Sequence, residues 1–128
     1  MPLPSRISTS FTRLLHASFG FLLLLATTAS YGQADKALYG KGEKLFKQNC
    51  ASCHKPDVKM TGPAIKGAKE RWAKSGGDIY AWVKNSTAYL KTGDSYANNL
   101  FKEFGGSVMT PNAVSNEEID AILYYADN

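Results

Sequence analysis

The stretch Gln48-Asn49-Cys50-Ala51-Ser52-Cys53-His54 holds both cysteines of the 128-residue chain and one of its two histidines. Two thiols three residues apart, with an imidazole directly behind, admit four chemistries. The thiols can close a disulfide in an oxidising compartment. They can form a redox-active pair, whose usual setting is a strand–helix turn in a βαβ unit; no such pattern surrounds these residues. They can contribute to a structural zinc site, which takes four protein ligands. The C-x-x-C-H spacing is also the attachment signature of a c-type haem. On a helical turn residues three apart share one face, so Cys50 and Cys53 reach both vinyl groups of one porphyrin edge, and His54 is held under the iron.

The elements around the motif narrow the choice. Arg6 and Arg13 precede an apolar run from Phe19 to Ala26, followed by small residues that end in Gly32 and Ala34. A positive end, a short apolar core and a small-x-small exit read as a secretory signal peptide over residues 1–34. The run is shorter than the ~20 residues of a membrane-spanning helix, although a retained anchor is the competing reading. Cleavage after Ala34, or alternatively after Gly32, leaves a domain of residues 35–128. His16 leaves with the signal, so Cys50, Cys53 and His54 become the only Cys or His residues. That is one short of a four-ligand zinc site, and haem is favoured. Thirteen basic against eleven acidic residues give this domain a net charge of +2. No basic run interleaved with aromatics points to nucleic acid.

An iron held by His54 has a second axial position. Met60 and Met109 are the internal methionines. Met60 follows His54 too closely to cross to the other face of a haem. Met109 lies in "GGSVMTP", which its glycines and proline mark as a loop, and a loop can carry a thioether across. Met109 is therefore the expected distal ligand. A thioether favours ferrous iron and raises the reduction potential relative to bis-histidine ligation.

Periodicity predicts an all-α domain of four or five helices around one flat cofactor. Leu38, Gly42, Leu45, Phe46 and Cys50 recur at helical spacing. Asp78 caps a helix bearing Ile79, Trp82 and Val83 on one face. Asp94 or Ser95 caps another, with Tyr96, Leu100, Phe101 and Phe104 inward, and Gly105-Gly106 stops it. Ser115 and Glu118 form a capping box before Ile119, Ile122 and Leu123. Gly42 costs helix propensity, a cost offset if the C-terminal helix crosses closely there. Asn85-Ser86-Thr87 matches a glycosylation acceptor.

Taken together, these segments resemble the class I monohaem cytochromes c. "GKGEKLFKQNCASCH" resembles the family's N-terminal helix and haem motif, and "TGP" the loop after it. "SVMTP" resembles the methionine loop and "SNEEIDAILYYA" the C-terminal helix; the likeness spans residues 36–127. The resemblance implies a small cytochrome c fold with one covalent haem c on Cys50 and Cys53. It implies His54 as proximal and Met109 as distal iron ligand. Pro63 matches the proline whose carbonyl orients the histidine, and Trp82 an aromatic near the methionine sulfur. Trp72 or Arg71 matches a contact to a haem propionate. Gly42, Phe46 and Tyr125 match the crossing of first and last helices. Two departures concern the loop: Thr110 stands between Met109 and Pro111, and the stretch from Thr92 to Gly106 is longer than in the smallest members.

The implied role is one-electron transfer rather than enzyme catalysis. The narrower likeness is to Bacteroidetes-type respiratory cytochromes: a periplasmic monomer, free or membrane-associated, that carries electrons from a quinol-oxidising membrane complex to an oxidase or reductase. A fixed haem subunit of such a complex is the alternative; a gas-binding or peroxidase-like protein fits less well. Nine of the thirteen basic residues fall between Lys41 and Lys74. They form either a solvated face or a lysine-rich rim that steers redox partners to the haem edge.

Overall fold

Gly42 and Phe46 turn inward from an otherwise wet first helix, and the last helix lies against them. The computed structural model describes residues 32–128. Arg6, Arg13, His16, the apolar run and most of the expected signal peptide lie outside the described residues. Two units are delimited, residues 1–36 and residues 37–128. Of the first only residues 32–36 are described, and they are helical. The second contains the cysteine motif and the helices around it.

The described residues form six helices and no strand. These are α1 (residues 32–49), α2 (Ala68–Ser75), α3 (Ile79–Lys84), α4 (Ser86–Leu90), α5 (Ser95–Glu103) and α6 (Asn116–Asp127). The all-α expectation holds; the count is one above the expected range, because α2 and α4 lack the signals that mark the others. The N-cap of α2 is Gly67 at φ 70°, with no side-chain cap. α4 is five residues long and begins at Asn85, which also ends α3.

Elsewhere the local chemistry matches the expectation. The Asp78 carboxylate accepts from Tyr80 N–H and Ala81 N–H to open α3. Asp94, rather than Ser95, accepts from Ala97 N–H to open α5. Ser115 and Glu118 form the full reciprocal box at α6. Such caps satisfy donors that a helix start leaves free.

At the α1–α6 crossing, a Cβ added to Gly42 would fall 1.9 Å from the Ala121 carbonyl oxygen. The Tyr125 ring packs between Tyr39 at 5.1 Å and Phe46 at 5.4 Å. The central core joins Ala68 and Trp72 of α2, Ile79 of α3, Ala97 of α5, and Ile119 and Leu123 of α6. Trp72 is its aromatic hub, with Trp82 at 5.4 Å and Tyr96 edge-on at 5.0 Å, geometries that aromatic quadrupoles favour.

Candidate functional site

Helix α1 ends at residue 49, and the motif continues as turns. Cys50 N–H donates to Phe46 O at 2.8 Å, while Cys53 N–H and His54 N–H both donate to Cys50 O, at 3.1 and 3.0 Å. The motif thus follows the helix rather than riding on it. The i+3 and i+4 bonds keep the helical spacing that brings the two thiols and the imidazole to one side. Cys50 is half-buried and Cys53 exposed, and the two are not joined. Burial pushes the Cys50 thiol up to about 11. Among the described residues no three His, Cys, Asp or Glu side chains are grouped to hold a metal ion.

The His54 ring is buried and its orientation is fixed by two neighbouring residues. Its Nδ1 lies 2.8 Å from Pro63 O. A carbonyl only accepts, so Nδ1 carries the proton and Nε2 keeps its lone pair for a metal. Gly62, the residue before Pro63, also presses on the ring: a Cβ there would meet His54 Cε1 at 2.2 Å and Nδ1 at 2.7 Å. Gly62 N–H donates to Cys53 O at 2.9 Å, and Ile65 N–H to Lys55 O at 3.1 Å, which folds the loop back onto the motif. The Arg71 guanidinium donates to Ala64 O at 2.8 Å and Lys66 O at 2.6 Å, bracing the segment that follows Pro63.

One large pocket, with about 1380 Å³ of atom-free space counting its open mouth, is lined by the residues the sequence assigned to the cofactor: Cys50, Cys53, His54, Pro63, Arg71, Trp72, Trp82 and Met109. The rest of its wall is mainly apolar core, including Ile79, Leu100, Ile119 and Leu123. Met60 is 42% exposed and is not part of the wall. Met109 is half-buried in a stretch without helix, between α5 and α6. Its N–H donates to Ser86 Oγ at 2.9 Å, and Asn112 N–H donates to Lys84 O at 3.0 Å. The donor set therefore fits a flat macrocycle: two thiols for an edge, an imidazole with a free Nε2 and a thioether for the iron, and apolar walls for the ring.

Sequence reasoning missed Ser86 and the wedge at Gly62. Glycine directly before Pro63 was the available signal for the wedge. Ser86 carried none, because its partner is a main-chain group 23 residues away. Of the glycosylation-like triplet, Ser86 is buried, Asn85 is half-buried with its side chain capping Ala88 N–H, and Thr87 is exposed.

Residues 39–127 match the family described as Cytochrome c. The chain is similar to cytochrome c-551 of Stutzerimonas stutzeri, 36% identical over 85 residues, which span 64% of this chain and 70% of that protein. It is also similar to cytochrome c-551 of Pseudomonas aeruginosa, 31% identical over 108 residues, 81% of this chain and 89% of the relative. Among solved structures, cytochrome c from Rhodothermus marinus is similar, with a TM-score of 0.56 and 32% identity, over 72% of this chain and 76% of that one.

Proposed function

Because the chain belongs to the cytochrome c family, and so carries one covalent haem c and transfers electrons, we propose that it is an exported one-electron carrier whose iron is held by His54 and Met109. One observation carries this reading: Cys50, Cys53, His54 with its Nδ1 committed to Pro63, and Met109 line a single pocket.

When bound, the haem supplies a one-electron Fe(III)/Fe(II) couple. The chain's own residues set the conditions for it. Cys50 and Cys53 supply the thioether sulfurs. The Pro63 carbonyl holds the His54 proton at Nδ1 and raises the basicity of Nε2. Trp82 and the apolar wall exclude water, so little solvent has to reorganise on electron transfer. Trp72 or Arg71 would hold a propionate; Arg71 already donates to Ala64 O and Lys66 O, which favours Trp72.

The electron's partners are redox proteins of a membrane respiratory chain, a quinol oxidiser upstream and an oxidase or reductase downstream, met one at a time by a monomeric carrier. Docking is at the pocket mouth, helped by basic residues such as Lys55 beside His54. Export rests on the N-terminal segment 1–34. No helix of the described residues is long and apolar enough to cross a membrane.

The test is a pyridine haemochrome spectrum of the purified protein, followed by carbon monoxide titration of the reduced wild type and of Met109→Ala. Wild type should resist carbon monoxide, and the variant should bind it readily and lose its low-spin spectrum. A variant that keeps the wild-type spectrum would remove Met109 from the iron.

A further inference from the structure

Ser86 is 0% exposed, yet its hydroxyl does nothing for its own helix. Asn85 caps α4 by accepting from Ala88 N–H at 2.9 Å. A hydroxyl taken out of water is costly unless it is hydrogen-bonded. Among the described residues Ser86 Oγ has two partners, and both are main-chain groups of Met109. It accepts from Met109 N–H at 2.9 Å and donates to Met109 O at 3.4 Å. The neighbours of Met109 have no comparable anchor: neither Val108 N–H nor Thr110 N–H has a backbone or side-chain acceptor among the described residues. Val108 is 49% exposed. The next fixed point of the loop is Asn112, whose N–H donates to Lys84 O.

We infer that Ser86 is a positioning residue for the iron's second ligand: its buried hydroxyl clamps the main chain of Met109 and so fixes where the thioether is presented in the pocket. This rests on the reading of Met109 as that ligand. With the clamp in place, the loop is pinned at the ligating residue itself, and the side chain need search only its own rotamers. Without it, Met109 N–H loses its partner, and residues 108–111 have no main-chain anchor, among the described residues, between Ser107, whose N–H donates to Phe104 O, and Asn112. The thioether then spends more time away from the iron.

The experiment compares holoprotein carrying Ser86→Ala with a control, Ser115→Ala, which removes the α6 cap and whose hydroxyl bonds, among the described residues, only Glu117 and Glu118, not Met109. Carbon monoxide reaches ferrous iron only when the thioether is off, so its binding rate reads the open fraction. Ser86→Ala should raise that rate roughly ten- to a hundredfold, the factor that one lost buried hydrogen bond implies. It should also weaken the methionine–iron charge-transfer absorption and lower the reduction potential. Ser115→Ala should lower the melting temperature and leave all three unchanged. Equal rates in the two variants would overturn the clamp while leaving the ligation intact. A wild type that binds carbon monoxide at once, with Met109→Ala spectrally unchanged, would overturn the ligation and the clamp with it. If Ser86→Ala yields no folded protein, amide exchange in wild type decides. Met109 N–H should then exchange at least tenfold more slowly than Val108 and Thr110, and equal exchange refutes the inference.

Discussion

Replacing Gly42 by alanine tests the packing on which the α1–α6 crossing depends. The new Cβ would stand 1.9 Å from Ala121 O, 2.7 Å from Ala121 C and 2.9 Å from Tyr125 Cβ. Two of these three atoms are backbone of α6, so no rotamer change relieves the clash. To bring the first contact even to 3.0 Å the helices must separate by about 1 Å, and a gap of that size forfeits a quarter to a half of each dispersion contact across it. Phe46, 3% exposed, lies on the affected face against the Tyr125 ring. Overpacking of this kind costs about 1–3 kcal/mol, and a backbone obstacle places Gly42 at the upper end. Alanine returns about 1 kcal/mol in helix propensity. The net loss is about 2 kcal/mol, which lowers the melting temperature by roughly 8–16 °C in a domain of this size. Gly40 is the internal control: it is exposed in the same helix, and its added Cβ meets nothing within 4 Å. Gly40→Ala should raise stability by up to about 1 kcal/mol. Thermal melts followed by circular dichroism on the two holoproteins measure the difference, and a haem stain after denaturing electrophoresis checks that both retain covalent haem. Gly42→Leu should fall further. A Gly42→Ala protein that melts at or above wild type refutes the close crossing.

Gly62→Ala places a Cβ 2.2 Å from His54 Cε1 and 2.7 Å from Nδ1. It should push the ring off Pro63 and reduce the yield of low-spin holoprotein, seen as a lower ratio of haem to protein absorbance; an unchanged spectrum and yield would show that the wedge is dispensable. Asp120 accepts from Lys69 Nζ at 2.5 Å and from Tyr80 Oη at 2.9 Å, and the lysine chiefly holds its carboxyl below the ordinary aspartate value. A carboxylate with a lowered folded pKa stabilises the fold above its unfolded value and loses that contribution as pH falls through the folded value. Asp120→Asn should therefore cost under about 1 kcal/mol at neutral pH, as exposed pairs do, and the gap in melting temperature should close in strong acid; a gap as wide there as at neutral pH counts against the pairing. Lys55 has no acidic partner within 4 Å among the described residues, whereas Lys74 pairs with Glu70 at 2.7 Å. Lys55→Gln should slow reduction by an acidic partner more than Lys74→Gln, with the difference fading as salt shortens the ~10 Å screening length of 0.1 M; rates indifferent to ionic strength would remove steering altogether.

How far the chain could be read from its letters depended on the range of each interaction. The caps at Asp78, Asp94 and Ser115 act within three residues, so residue type and spacing announce them. Gly42 was legible because a glycine amid good helix formers signals a close approach. α2 was not, since only Ala68 and Trp72 of its eight residues are buried, too few to set up a period, and a left-handed glycine opens it in place of a polar cap. α4 was hidden because Asn85 closes one helix and opens the next within a triplet that reads as a modification site. Of the nine clustered basic residues, Lys47, Lys59, Lys66, Lys69 and Lys74 sit in ion pairs. The acids that Lys59 and Lys69 meet, at 103 and 120, lie far off in sequence, so charge counting along the chain overstated the free positive surface.

These misses bear on function, because the least legible elements support the half of the site that has no local motif. Cys50, Cys53 and His54 are consecutive turns at the end of α1, and the chain sets their geometry within five residues. Met109 has no such neighbourhood. It is held by contacts to the α3–α4 junction, from Ser86 to Met109 and from Lys84 to Asn112, and α3 in turn rests on the core through Ile79. Trp72, Ile79, Ile119 and Leu123 belong at once to that core and to the pocket wall. A substitution that loosens the core should therefore be felt first at Met109, since its loop is tied down through the junction, and only later at His54, whose supports at Gly62 and Pro63 are short-range.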